Sequence, residues 1–373
     1  MSVLEYRLSS LLLRALGALF GLLPLRRGRV VLATARVPIL DGNLRAIHDA
    51  IRRHRPATDV VLLLEPYGYG RAAKLRYLVR MIRGTYHVRT AGLVIVDNAW
   101  LPVHVAPHRA GTTVVQVWHA TGALKRFGVD TAQPLDEPER TFLHRYYDWV
   151  ITAGEASRAP WSAALRTPLE RVLPLGSART DDLLDPGRLA AARARTLAAY
   201  PALAGRRVVL YAPTFRGRGV AKTDGAVLDP IRLRALLPPS DVLILKSHPN
   251  LDPTLMPTAG YDVVASPADD LNDLLALADV LVTDYSSSVF EFALLRRPIV
   301  LVAPDLEAYE RDPGLYLDLR TDVVGTLVRD TDAAAAAITG ARVDDDAYDA
   351  FIARNLGGCD GHAAARIVER FVP

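Results

Sequence analysis

The chain has 373 residues, half of them hydrophobic, which suits two ordinary hydrophobic cores and excludes a disordered protein. Its formal net charge of +4 is compatible with nucleotide, polyphosphate or anionic-membrane partners and selects none of them. The single cysteine, Cys359, excludes an intrachain disulfide and a cysteine-rich zinc site, and points to a reducing compartment.

Residues 8–25 read LSSLLLRALGALFGLLPL and are followed by Arg26, Arg27 and Arg29. The uncharged run after Arg14, residues 15–25, falls short of the roughly 20 residues that span a bilayer. Arg7 and Arg14 lie near one face of a helix, opposite leucines and Phe20. The pattern predicts a membrane-associating amphipathic segment over residues 1–29, its apolar face in lipid. A first helix packed on the domain is the plain alternative. Cleaved export fits less well, because no small-residue cleavage site follows and the next residues begin a strand.

Short apolar runs then alternate with helical patterns. Strands are predicted at residues 30–35, 60–64, 93–96, 114–118, 147–151 and 171–174, with helices at 44–54 and 75–82. The second half repeats the style, with strands at 208–211, 242–246, 261–264, 280–283, 299–302 and 323–327 and helices at 271–278 and 289–295. Nearly continuous apolar strands in βα alternation mark a mostly parallel sheet. The expected organisation is an α/β domain over 30–180, a polar, alanine-rich connector over 181–204, and a second α/β domain over 205–350. A C-terminal segment, 351–373, is expected to pack back on the first domain. No Gly-x-Gly-x-x-Gly turn or Walker A sequence follows a candidate strand, which argues against dinucleotide oxidoreductases and P-loop ATPases.

Several strand exits carry reactive side chains. His119 ends the run VVQVW within QVWHATGALK, where a neutral imidazole could take a proton from an attacking hydroxyl. Thr121 and Gly122 begin the next turn, and Lys125 is expected one to two turns into a following helix. The bland reading is a histidine that bonds the strand end, with Trp118 as core. Lys246 closes another strand ahead of Ser247, His248 and Pro249, and two donors there suit a diphosphate. Asp284, Ser286, Ser287 and Ser288 lie between the strand 280–283 and a helix whose first turns hold Glu291. Such serines either cap the helix or bind an anion. In YAPTFRGRG, Thr214 and Arg216 stand at a further strand exit, where Arg216 would grip a phosphate or remain solvated. The acidic runs 269–270 and 344–346 lack calcium-loop spacing and there is no HExxH pair, so no metal and no other cofactor is expected.

Taken together, QVWHATGALK at 116–125, YAPTFR at 211–216, LKSHP at 245–249 and DLNDLLALADVLVTDYSSSVFEF at 270–292 make the chain resemble the CDP-glycerol glycerophosphotransferase family. The likeness covers most of residues 30–370. It implies a GT-B-like fold of two Rossmann-like domains facing across a cleft, with nucleotide mainly on the C-terminal domain and acceptor on the N-terminal one. By resemblance His119 is the catalytic base and His248 a second essential histidine near the donor diphosphate. Thr214, Arg216, Lys246, Asp284, Ser286, Ser287 and Glu291 fall on the donor side. Trp118, Lys125, Asn43 and Arg45 fall on the acceptor side. Two departures stand out: Ala120 replaces the family's glycine after the first histidine, a small change, and the early stretch reduced to residues 41–45 bears on the acceptor region.

The implied reaction moves glycerol phosphate from CDP-glycerol, or a related CDP-alcohol, to a hydroxyl of a lipid-linked polyprenyl-diphosphate acceptor, releasing CMP. Its setting is the cytoplasmic face of the membrane, against an anionic surface. Ribitol phosphate or a sugar is the alternative cargo, and a non-catalytic assembly protein the alternative class. A nucleic-acid partner is not expected, because the basic stretch Arg71, Lys74, Arg76, Arg80 and Arg83 lacks an aromatic stacking platform.

Overall fold

A computed structural model describes residues 3–66, 71–214, 227–247 and 258–373, without the side chains of residues 71 and 72. Two compact units emerge: unit 1 comprises Met1–Asp181 and Asn355–Pro373, and unit 2 comprises Asp182–Arg354.

Unit 1 opens with helix α1 (Val3–Phe20), followed by β1 (Arg26–Thr34), α2 (Gly42–His54), β2 (Asp59–Leu64) and α3 (Arg71–Thr90). The sheet continues with β3 (Ala91–Val96), β4 (Thr113–Gln116), β5 (Trp149–Ile151) and β6 (Val172–Leu173). All strands pair in parallel in the order β2-β1-β3-β4-β5-β6. Alternate residues of one sheet face (Val30, Leu32, Leu93, Ile95, Val115) pack with Ile47 and Ile51 of α2. Ile367 and Val368, of the helix Ala363–Phe371, complete that layer. Strand neighbours run in opposite directions from β1 and β3, which makes the carboxyl ends of those two strands a topological switch point.

Unit 2 holds β7 (Arg207–Ala212), β8 (Asp241–Leu245), β9 (Val263–Val264), β10 (Val280–Thr283), β11 (Ile299–Val302) and β12 (Thr326–Val328). They form a parallel sheet in the order β12-β11-β10-β7-β8-β9, with its switch point between β10 and β7. Val209, Tyr211, Leu243, Val282 and Val300 face one core with Leu233, Leu237 and Ile338.

Three local features have physical causes. The alanine-rich stretch after residue 180 folds as two helices, Asp181–Leu184 and Pro186–Ala199. In the second of these Asp185 caps the N-terminus, Arg195 forks onto Asp273 and Thr196 Oγ1 donates to the Asp273 carbonyl. No helix carries Lys125. The chain runs irregularly past Lys125 to a 3-10 turn at Gly128–Asp130, held there by Phe127 stacked on Trp118 at 4.9 Å. β12 starts at Thr326, after Gly325 at φ 123, a backbone region that residues with side chains avoid.

In α1 the arginines meet the protein. Arg7 pairs with Glu137 at 3.1 Å, and Arg14 donates to the Val105 carbonyl. Leu13 is buried, whereas Leu4, Leu8, Leu11 and Leu19 are each more than half exposed. Among the described residues no helix is long and apolar enough to cross a membrane.

Candidate active site

β4 ends at Gln116, which is fully buried and shapes the turn beyond the strand. Gln116 Oε1 accepts the Trp118 N–H at 2.8 Å, and Gln116 Nε2 donates to the Asn98 carbonyl at 3.1 Å. These bonds close the chain sharply with Trp118 at φ 51, a left-handed conformation costly for a bulky residue. The Trp118 ring stacks on Phe127 and meets His144 edge-on at 5.4 Å.

His119 comes next in the chain. Its Nδ1 lies 3.1 Å from the Asp97 carbonyl oxygen. A carbonyl only accepts, so Nδ1 carries the hydrogen and Nε2 is the basic nitrogen of the neutral ring. Asp97, at the β3 exit, is 2% exposed, and burial pushes its carboxyl pKa up against the opposing Arg36 guanidinium 3.7 Å away. The neighbouring Asn98 Oδ1 accepts the Ala35 N–H at 3.1 Å, tying β1 to β3 at the switch point.

Of the expected acceptor-side residues, Trp118 and Asn43 come together around His119, the expected base. Asn43 is 3% exposed, and its Nδ2 donates to the carbonyls of Val117 and Trp118, so it braces the turn. Arg45, in the first turn of α2, and Lys125 are partly exposed. Gln116, Asp97, Asn98 and Arg179 are site residues that sequence reasoning does not single out by role. Gln116, the lone polar residue in an apolar strand, is the one that carried a signal.

Unit 2 has a matching lock. Asp284, 1% exposed at the β10 exit, accepts the Thr214 N–H at 2.9 Å and the Thr214 hydroxyl at 3.0 Å. Ser288 donates through its N–H and hydroxyl to Ser286 Oγ, while Ser287, at the N-cap of Ser288–Leu294, makes no side-chain cap bond. Ser286 and Ser287 are partly exposed and Glu291 is buried. Lys246 is 4% exposed, and its ammonium donates to the Ser266 and Pro267 carbonyls, so burial lowers its pKa and its contacts serve a loop. Arg216 and His248 lie outside the described residues. Among the described residues no cluster of three His, Cys, Asp or Glu side chains could hold a metal ion.

Two parallel sheets flanked by helices, with polar side chains gathered at their carboxyl ends, define a GT-B-like double-Rossmann fold. The family model for CDP-Glycerol:Poly(glycerophosphate) glycerophosphotransferase matches residues 17–372. The chain is 30% identical over 361 residues to the teichoic acid ribitol-phosphate primase of Bacillus spizizenii, covering 94% of this chain and 92% of the primase. It is 29% identical to that organism's teichoic acid poly(ribitol-phosphate) polymerase, over 95% of this chain and 57% of the polymerase, so it spans little more than half of that relative. The solved structure of the wall teichoic acid polymerase TagF superposes with a TM-score of 0.76 at 19% identity, covering 99% of this chain and 95% of that one. The chain belongs to the CDP-glycerol glycerophosphotransferase family, enzymes that transfer glycerol phosphate from CDP-glycerol to an acceptor.

Proposed function

We propose that the chain transfers glycerol phosphate from CDP-glycerol to a hydroxyl of a lipid-linked, teichoic-acid-like or capsular acceptor, with His119 as the base. The observation that carries the base assignment is the Nδ1 contact to the Asp97 carbonyl, which points the proton-accepting side of the ring, Nε2, away from its anchor. In the reaction His119 takes the acceptor hydroxyl's proton as the oxygen attacks the phosphorus bearing glycerol. The bond from that phosphorus to the CMP oxygen breaks, and CMP leaves. Ser286 and Ser287 supply hydroxyls to donor phosphate charge, with Arg216 and His248 assigned there by family resemblance. Asp284 and Lys246 act indirectly, by fixing the exits of β7, β8 and β10.

The same reading puts the enzyme peripherally on the cytoplasmic membrane face. With Arg14 bound to the Val105 carbonyl and Leu4, Leu8, Leu11 and Leu19 exposed, α1 presents an apolar surface suited to lipid, beside exposed Leu75 and Val79 of α3. Basic residues on α3 suit anionic headgroups.

A second reading concerns the alcohol. The 30% relative is a ribitol-phosphate primase, which favours CDP-ribitol as a donor. Incubation with CDP-glycerol, CDP-ribitol, nucleotide-sugars and lipid-linked acceptors, with product masses read by mass spectrometry, separates these outcomes. Glycerol-phosphate increments with CMP release are expected. Ribitol-phosphate increments alone would move the assignment to the second reading, and products from nucleotide-sugars alone would refute both.

A further inference from the structure

The turn 176–180 belongs to none of the motifs that suggest chemistry, yet it reaches the base-bearing loop. Arg179 Nη1 donates to the His119 carbonyl at 2.8 Å, and the Arg179 N–H donates to Asn43 Oδ1 at 2.8 Å. Ser177 Oγ donates to the same Asn43 oxygen at 3.2 Å. Asn43 Nδ2 in turn donates to the carbonyls of Val117 at 3.2 Å and Trp118 at 2.9 Å. Three consecutive carbonyls, 117 to 119, are thus held by two side chains remote from them and from each other in sequence. The turn that supplies Arg179 is itself braced. A Cβ on Gly176, at φ 96, would come within 2.0 Å of the Gly358 carbonyl oxygen, and Asp181 accepts the N–H groups of Ala363 and Ala364.

We infer that Arg179, locked to Asn43, is a positioning residue for the His119 base. The physical need lies at Trp118. A left-handed conformation at a bulky residue costs on the order of 1–3 kcal/mol and persists only where neighbours over-determine it. Asn43 ties the peptide units on the N-terminal side of the imidazole and Arg179 the one on its C-terminal side. The charge-assisted guanidinium bond fixes a direction, whereas a lysine at the same place would keep the charge without the planar fork. The inference rests on His119 being the base.

The test measures CMP release from CDP-glycerol with a lipid-linked acceptor, together with the CDP-glycerol Kd, for four variants. These are Arg179→Met, Arg179→Lys, His119→Ala and the double variant His119→Ala/Arg179→Met. Arg179→Met keeps an apolar stem and removes the donors, and Arg179→Lys remains the test should the methionine variant not fold. We expect kcat of Arg179→Met to fall about 10- to 100-fold, the scale of a small misplacement of a reacting group, with donor Kd unchanged. Arg179→Lys should lie between it and the wild type, and the double variant should be no slower than His119→Ala alone. Wild-type kcat in both Arg179 variants, or a loss that adds in full to that of His119→Ala, overturns the clamp and leaves the base assignment standing. Near-normal turnover by His119→Ala overturns the base assignment itself, and the clamp with it.

Discussion

Gln116 Oε1 accepts the Trp118 N–H at 2.8 Å across a single intervening residue, and this bond turns β4 into the loop that presents His119. The same amide donates to the Asn98 carbonyl, so one buried side chain joins the β4 exit to the β3 exit. Gln116→Leu keeps most of the volume and leaves both backbone partners unsatisfied. It should cost about 2–4 kcal/mol in urea unfolding, the sum of two buried polar groups left without partners. Turnover should fall while CDP-glycerol affinity holds, because Gln116 belongs to unit 1 and the donor contacts are assigned to unit 2.

Asp284 performs the corresponding task in unit 2 through its two bonds to Thr214. Asp284→Ala removes both acceptors from a buried backbone N–H and hydroxyl, and should destabilise the protein by about 2–4 kcal/mol and weaken CDP-glycerol binding. Asp284→Asn retains an acceptor for the Thr214 N–H, and its amide donates to the threonine hydroxyl. Urea midpoints and calorimetry should therefore rank wild type, Asn and Ala in that order.

Two buried histidines under the Trp118 turn should make the fold acid-labile. Burial lowers His104 to about 3, and burial together with His104, Arg166 and His119 lowers His144 well below its ordinary value of 6.5. Both stay neutral in the folded protein while the unfolded chain takes up protons below pH 6.5, so stability is fully present above that pH and falls as pH drops below it. Each contributes a loss of about 1.4 kcal/mol per pH unit in that range, so these two account for about 2–3 kcal/mol of the stability lost in urea unfolding between about pH 7.5 and 5.5. His87, lowered to about 4 by burial, adds to the loss, and His108, raised against its burial by Asp148, opposes it. His104→Gln should remove that residue's share, about 1.4 kcal/mol between the two pH values.

The outward leucines of α1 provide a separate test. Leu8→Glu with Leu11→Glu should cut binding to anionic vesicles by at least about tenfold, since burying one leucine is worth about 1.5–3 kcal/mol. Turnover on a water-soluble acceptor analogue should be unchanged. Equal vesicle binding by the double variant would remove α1 from the membrane contact.

The strands were legible because they are short apolar runs rich in β-branched residues: residues 280–283 and 299–302 coincide with β10 and β11. Elements set by distant partners were not legible. The stretch after Gly122 has helical composition, yet stacking of Phe127 on Trp118 draws it into an irregular path. Arg7 and Arg14 share a helix face by their spacing, but that this face meets protein depends on Glu137 and Val105, far along the chain. At the site, His119 announces itself by standing at a strand exit, whereas the partner of its carbonyl, Arg179, is 60 residues away. Lys246 is expected on the donor side from its place at a strand exit, and the loop carbonyls of Ser266 and Pro267 that its ammonium meets could not be read from the sequence.

The most direct test of the central claim is the rate of CMP release from CDP-glycerol by His119→Ala in the presence of a lipid-linked acceptor. Loss of an aligned general base predicts a fall in kcat of about 10²- to 10⁴-fold with CDP-glycerol affinity retained. Turnover within a few-fold of wild type, or a loss confined to donor binding, would contradict the assignment of His119 as the base.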